Sequence, residues 1–225
     1  KIDVQGPDAL AFLERIYTVD LAGLAVGRCR YGLVLADDGT LLDDGVVSRL
    51  GPCHFQLSTT TGGAARMHAW LERWAQIEWP ELRVWITPVT ERWAVLAVQG
   101  PKARQLLRRA VSDVDLAAKA FAHMAWRDAR VGSVPVRLFR VSFTGELGFE
   151  LNVPSSYAAD VAETLFRLGP DLEPTPFGLE AMHVLRLEKG YILVGHVTDG
   201  SVTPLDLGLG RLLSTKKDFL GRRSL

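Results

Sequence analysis

Val4-Gln5-Gly6-Pro7-Asp8-Ala9, followed by Phe12-Leu13 and Arg15, returns 94 positions later as Val98-Gln99-Gly100-Pro101-Lys102-Ala103, followed by Leu106-Leu107 and Arg109. Each copy reads as strand, tight turn and helix: proline at the first helical position forfeits no hydrogen bond, and the apolar spacing after it is helical. A second phrase also recurs, Gly39-Thr-Leu41-Leu-Asp-Asp44 in the first copy and Gly145-Glu-Leu147-Gly-Phe-Glu150 in the second. In both, an acid stands five residues after the glycine. The expectation is an α+β fold of two pseudo-repeated antiparallel-sheet-plus-helix modules packed about a pseudo-two-fold. Each module presents one strand-borne carboxylate, Asp44 or Glu150, towards a shared central cleft.

Around Glu150 the chain runs Arg140-Val-Ser-Phe-Thr-Gly-Glu-Leu-Gly-Phe-Glu-Leu151, two strand-like runs joined by a Thr-Gly turn signal. An unpaired carboxylate in a half-buried sheet costs several kcal/mol, roughly, so a basic side chain or a ligand with matching donors must face it. Arg140 and Arg186 are the candidate partners within the chain. Arg186, in Leu-Arg-Leu-Glu-Lys-Gly, reads as half of a structural ion pair or as the brace for Glu150.

Lys plus Arg equals Asp plus Glu at 26 each in 225 residues, so summed charge gives no field to draw in nucleic acid or an anionic bilayer. The 48% hydrophobic content suffices for a sizeable core. No apolar run approaches the roughly 20 residues that span a bilayer, and no secretory signal opens the chain. Two cysteines, Cys29 and Cys53, form no disulfide framework; they read as buried thiols of a cytoplasmic protein. The abrupt ends suggest a piece of a longer polypeptide.

The apolar pattern gives a helix over 7–17, strands over 29–35, 41–50 and 54–59, and an amphipathic helix over 64–76 whose Met67, Trp70, Leu71 and Trp74 form a core stripe. Side chains alternate along a strand, so only one of Asp43 and Asp44 faces the cleft, and the repeat selects Asp44. Thr59-Thr60-Thr61-Gly62-Gly63 either caps the following helix or sets hydroxyls and N–H groups near a ligand anion. Strand-like residues follow over 82–88, 93–98 and 134–142, with helices to about 111, over 155–168 and over 177–189. His183 stands alone and reads as a packing residue. Lys216-Lys217-Asp218 reads as a solvated turn. The module boundaries are set at 1–85 and 86–210.

No Walker loop, dinucleotide fingerprint, zinc spacing or nucleophile elbow is present, so those routes to chemistry are not indicated and no metal is expected. Two carboxylates near aromatic rings suit a flat heterocycle whose edge offers adjacent N–H donors, and a pterin has such an edge.

Three phrases, Asp43-Asp44 after the Gly39 hairpin, Thr144-Gly-Glu-Leu-Gly-Phe-Glu150, and Leu185-Arg-Leu-Glu-Lys-Gly190 with Thr203-Pro204 and Gly208-Leu-Gly210 beyond, resemble the folate-binding aminomethyltransferase family. This is the family of the T-protein of the glycine cleavage system. Lys1 to Asp8, Val26 to Leu33, Thr59 to Arg66 and His183 to Tyr191 look like its branch of sarcosine oxidase alpha subunits. The resemblance implies tetrahydrofolate as ligand, Asp44 as catalytic acid, Glu150 as the grip on the pterin edge, and Tyr31 and Thr60 as ligand contacts. It implies capture of the one-carbon unit of sarcosine as 5,10-methylenetetrahydrofolate. FAD, FMN and NAD would sit elsewhere in a complex with other oxidase subunits, with a dinucleotide-binding region before this chain and a small barrel after it, 211–225 being the linker. Met182 stands where T-proteins carry an arginine, and Val19 where the family usually has asparagine. The alternatives are a glycine-cleavage aminomethyltransferase, a demethylase of aromatic methyl ethers, or a non-catalytic folate-binding module.

Overall fold

The structure, a computed structural model, describes residues 1–225. It contains two compact units, Lys1–Thr90 together with Leu193–Leu225, and Glu91–Ile192.

In the first unit β1 (Ile2–Gln5) turns at Gly6 into α1 (Ala9–Ile16), then β2 (Cys29–Leu35), β3 (Leu41–Gly51) and β4 (His54–Thr59) form a meander. A 3₁₀ turn leads into α2 (Ala64–Arg73), a π-helical turn covers Trp74–Glu78, and β5 (Trp85–Pro88) returns to the sheet. The antiparallel order is β2-β3-β4-β1-β5. Phe12, Leu13 and Ile16 of α1 and Met67 and Leu71 of α2 pack with Val4, Val47, Phe55 and Leu57 of the sheet. Each such fully buried apolar side chain contributes roughly 1.5–3 kcal/mol. Trp70 and Trp74 pack against this core, as their helical spacing requires.

The second unit builds β6 (Trp93–Gln99), α3 (Ala103–Ala110), β7 (Trp126–Val131), β8 (Val134–Phe139), β9 (Gly148–Pro154), α4 (Ala158–Leu168) and α5 (Leu179–Glu188). Its sheet order is β6-β9-β8-β7, also antiparallel. Leu106 and Leu107 of α3 and Val161 and Leu165 of α4 cover Leu138, Phe149, Leu151 and Val153. In α5 only Arg186 is buried, and Leu179, Val184 and Leu187 are exposed.

The duplication is topological. In each unit a first strand pairs with the last strand of a three-strand meander. Gly6 (φ 125°) donates to Cys53 O at 3.0 Å, and Gly100 (φ 110°) donates to Leu147 O at 2.9 Å, both partners again 94 residues apart. Phe55 and Phe149, opposite Val4 and Val98, are fully buried equivalents. This register corrects one detail of the sequence reading: Glu150 lies on β9, the counterpart of β4, whereas Asp44 lies on β3, the counterpart of β8. Since Val46 faces Ser58 and Arg137 faces Asn152, the residue standing where Asp44 stands is Pro135. The two Gly-to-acid phrases therefore sit on non-equivalent strands.

Leu193 to Leu225 packs with the first unit, which differs from a module ending at 210. Leu41 N donates to Val202 O at 2.8 Å, Ser214 N to Thr18 O at 2.9 Å and Leu220 N to Arg15 O at 2.9 Å. Lys217, expected to be solvated, is mostly buried: its Nζ meets Glu14 Oε2 at 2.8 Å and donates to Tyr17 O at 2.5 Å. Cys29 is buried as expected, but Cys53, in the turn between β3 and β4, is exposed. No helix is long and apolar enough to cross a membrane, and neither sheet closes into a barrel.

Gly45 faces Thr59 across β3 and β4, and a Cβ placed there would lie 1.9 Å from the Ser58 carbonyl oxygen. That oxygen is main chain and cannot swing aside, so only glycine permits the approach. Gly45→Ala is expected to cost roughly 1–3 kcal/mol through overpacking. Thermal unfolding checks this, and an unchanged midpoint would contradict the close strand approach.

Candidate functional site

The β2–β3–β4 meander builds the candidate site of the first unit. Asp44 faces Leu33 in register, so Tyr31 on β2 is its diagonal neighbour, within reach of a long side chain. Tyr31 OH donates to Asp44 Oδ2 at 2.5 Å. Thr60, just past the end of β4, donates through Oγ1 to Asp44 Oδ1 at 3.3 Å. Three residues expected at the site are thus brought together. Neither helix start after Thr60 has a side-chain cap, so the threonine serves the acid and does not cap.

Asp43 faces the other way and is 1% exposed. Its Oδ1 accepts from Asp44 N at 2.9 Å and from Thr60 N at 3.4 Å. One buried carboxylate therefore ties the backbones of both residues that form the Asp44 contact. Gly63 completes the enclosure, because a Cβ there would lie 2.6 Å from Asp43 Oδ2. Alternation allowed only one of the two acids to face the cleft, and the choice of Asp44 came from a repeat whose phrases fall on non-equivalent strands, which left Asp43 without a role; the signal that would have assigned one is the paired acid immediately before a strand glycine.

Burial pushes the Asp44 carboxyl above the ordinary carboxylate range; the Tyr31 and Thr60 hydrogen bonds oppose that rise, and the Asp43 charge adds to it. Burial likewise raises Asp43. Burial first, then the Asp44 charge, keeps Tyr31 in its phenol form, so it remains a donor. A carboxylate offers about four acceptor positions. Two are taken by hydroxyls, which leaves Asp44 able to accept from, or exchange a proton with, a ligand N–H or nitrogen.

In the second unit Glu150 is half-buried on β9 between Ala97 and Phe139. Neither expected arginine reaches it: Arg140 Nη1 donates to Gly148 O at 3.0 Å, and Arg186 Nη1 donates to Tyr191 O at 3.0 Å. Arg186 is 5% exposed and holds the turn after α5, where Tyr191 stacks with Phe143. The equivalent position in the first unit is Gln56, whose Nε2 donates to Asp3 Oδ1 across the strands at 3.0 Å. Ala97 occupies the place of Asp3. The second unit has thus a charged group where the first has an amide, and a methyl where the first has that amide's partner.

The family model described as the GCVT N-terminal domain matches residues 1–217, and the chain belongs to that aminomethyltransferase family. Over its whole length it is 46% identical to the sarcosine oxidase alpha subunit of Corynebacterium sp. (strain U-96), of which it spans 23%. It is 31% identical to the aminomethyltransferase of Chloroherpeton thalassium, of which it spans 60%. Among solved structures, glycine cleavage system aminomethyltransferase T from Bartonella henselae matches with a TM-score of 0.85 at 31% identity, covering 99% of this chain and 58% of that one. The fold is accordingly the T-protein-like one.

The raised acid carries a stability signature. An acid whose folded pKa lies above its unfolded value favours folding below the unfolded pKa and loses that contribution as pH rises through the folded pKa. Asp44→Asn, which keeps an acceptor for Tyr31 and removes the charge, is expected to stabilise the chain at pH 7 by about 1 kcal/mol, or roughly 2–4 °C. The gain should vanish below about pH 4, where the unfolded acid is also protonated. Melting curves across pH test this; a loss of stability at pH 7 would contradict a raised Asp44.

Proposed function

We propose that this chain is the tetrahydrofolate-binding part of a sarcosine oxidase alpha subunit and captures the one-carbon unit of sarcosine as 5,10-methylenetetrahydrofolate. The observation that carries the reading is Asp44, a half-buried carboxylate fixed by Tyr31 and Thr60 and still able to accept. Glu150, a strand carboxylate that pairs with neither arginine, supports it as the acceptor for a pterin edge. A reduced pterin presents N–H donors of the kind that a carboxylate such as either of these accepts.

Tetrahydrofolate supplies the two nitrogens between which a one-carbon unit is bridged. Asp44 would accept from one of those nitrogens and hold or return its proton, a role suited to a carboxyl held above its usual range. Tyr31 and Thr60 hold the Asp44 rotamer, so the geometry is set before the ligand arrives. Asp43 fixes the backbone beneath them. Arg186 contributes through the turn that carries Tyr191. FAD, FMN and NAD belong, in this reading, to parts of the assembly outside the chain, and the other oxidase subunits are its partners.

A glycine-cleavage aminomethyltransferase is the second reading, favoured by the likeness to the Bartonella protein. Met182, where T-proteins carry an arginine, favours the oxidase.

Titration with tetrahydrofolate, followed by assay of methylenetetrahydrofolate formed with formaldehyde, tests the assignment. Glu150→Gln is expected to weaken binding roughly tenfold or more, the worth of a charge-assisted hydrogen bond. Asp44→Asn is expected to slow capture by about 10²-fold, as removal of an acid–base group does. Unchanged affinity and unchanged capture in both variants would overturn the reading.

A further inference from the structure

On the helix-covered side of β9, opposite the strand face that carries Glu150, two guanidiniums bear on one ring. Phe149 is fully buried, and the Cζ atoms of Arg104 and Arg140 lie 5.2 Å and 5.3 Å from its centre. Each is anchored by one bond to the main chain: Arg104 Nη1 donates to Leu116 O, and Arg140 Nη1 donates to Gly148 O at 3.0 Å. A guanidinium carries five N–H donors, so most of each fork is left over, and Arg140 Nε is buried with no partner. Arg108, one helical turn beyond Arg104 on α3, adds an exposed third cation. None of the three enters an ion pair. The charges that act on them are one another: burial, then Arg108, lowers the Arg104 pKa, and burial, then Arg104, lowers that of Arg140.

The first unit serves as an internal control. The register that sets Arg137 in the place of Val46 sets Arg140 in the place of Arg49, and Arg49 stacks on Phe55 as Arg140 stacks on Phe149. Arg49 bonds two carbonyls, Leu24 O at 2.9 Å and Pro52 O at 3.1 Å. One arginine over the ring therefore belongs to the duplicated scaffold. The helix beside it differs. In α1 the two positions are Leu10, packed on the core, and Glu14, paired with Lys217; 94 residues on, α3 carries Arg104 and Arg108. An apolar contact and an acid have become two cations, next to a third. The scaffold forms in the first unit without either, and like charges four apart on a helix destabilise it.

We infer that Arg104, Arg108 and Arg140 form a site for a phosphate group. A phosphate brings up to about two negative charges and three acceptor oxygens, which matches two anchored forks and a third cation. A carboxylate brings one charge and leaves two of the three cations uncompensated. The anchoring makes the site ready-made, because planar guanidiniums already held by a ring and a carbonyl lose little freedom when an oxyanion arrives. This site is independent of the folate reading, since successive side chains of a strand point to opposite faces and Phe149 lies on the other side of β9 from Glu150.

Inorganic phosphate, ribose 5-phosphate and acetate are added in turn, at matched ionic strength, to the chain and to the variants Arg104→Leu and Arg108→Gln. Arg104→Leu places there the side chain that the first unit carries at Leu10, and Arg108→Gln alters an exposed residue. Phosphorus NMR of the unaltered chain is expected to show a saturable shift with a Kd on the order of millimolar. Phosphate at about ten times that Kd should raise its melting midpoint roughly 3–6 °C more than that of either variant. The comparison removes the general stabilisation that phosphate gives by exclusion from protein surfaces. Acetate should produce no such difference. Ribose 5-phosphate binding at least as tightly as inorganic phosphate identifies a phosphate ester as the ligand, weaker binding identifies the free ion, and either supports the site. Absence of a saturable shift, an equal response in all three proteins, or a difference that acetate reproduces overturns it.

Discussion

The site depends on taking a carboxylate out of water between two strands and compensating it with hydroxyls instead of a cation. Asp44 has Tyr31 on one oxygen and Thr60 on the other, and the like charge of Asp43 acts on it. A nearby arginine would have lowered its pKa and stabilised the fold. The arrangement found does the opposite: it holds the acid above its ordinary range, at a cost to stability that the proposed acid–base role would account for.

That constraint reaches into the backbone. Gly45 lets β3 approach β4 closely enough for Thr60 to bond Asp44, and Asp43 ties Asp44 N and Thr60 N to one buried oxygen. The second unit has the same strand order without this device, since Pro135 stands where Asp44 would be. Its own acid arises elsewhere, by exchanging the Asp3–Gln56 cross-strand pair for Ala97 and Glu150. A duplicated scaffold has thus diverged twice, each time leaving a carboxylate whose polar needs the surrounding strands do not meet in full.

Much of this was legible in the residues. The 94-residue spacing located β1, α1, β6 and α3, because a Gly-Pro turn followed by a helical apolar stripe has few other readings. Period-two alternation separated Asp43 from Asp44. Other features were not legible, because they depend on partners distant in sequence. Lys217 looks like part of a charged turn until Glu14, 203 residues away, is seen beneath it. The Thr60 hydroxyl looks like a cap until Asp44 appears across the strand. β7 is not legible because half of Trp-Arg-Asp-Ala-Arg-Val is charged and its buried positions, Trp126, Ala129 and Val131, do not alternate cleanly. The Gly-to-acid phrases matched by wording and fell on different strands, which only the register reveals.

The most direct test of the account is a crystal structure of the chain with tetrahydrofolate bound. The account predicts a nitrogen of the reduced ring about 3 Å from the Asp44 carboxylate, with Tyr31 and Thr60 still bonded to that acid. A bound ligand that leaves Asp44 touching only Tyr31, Thr60 and water would contradict it.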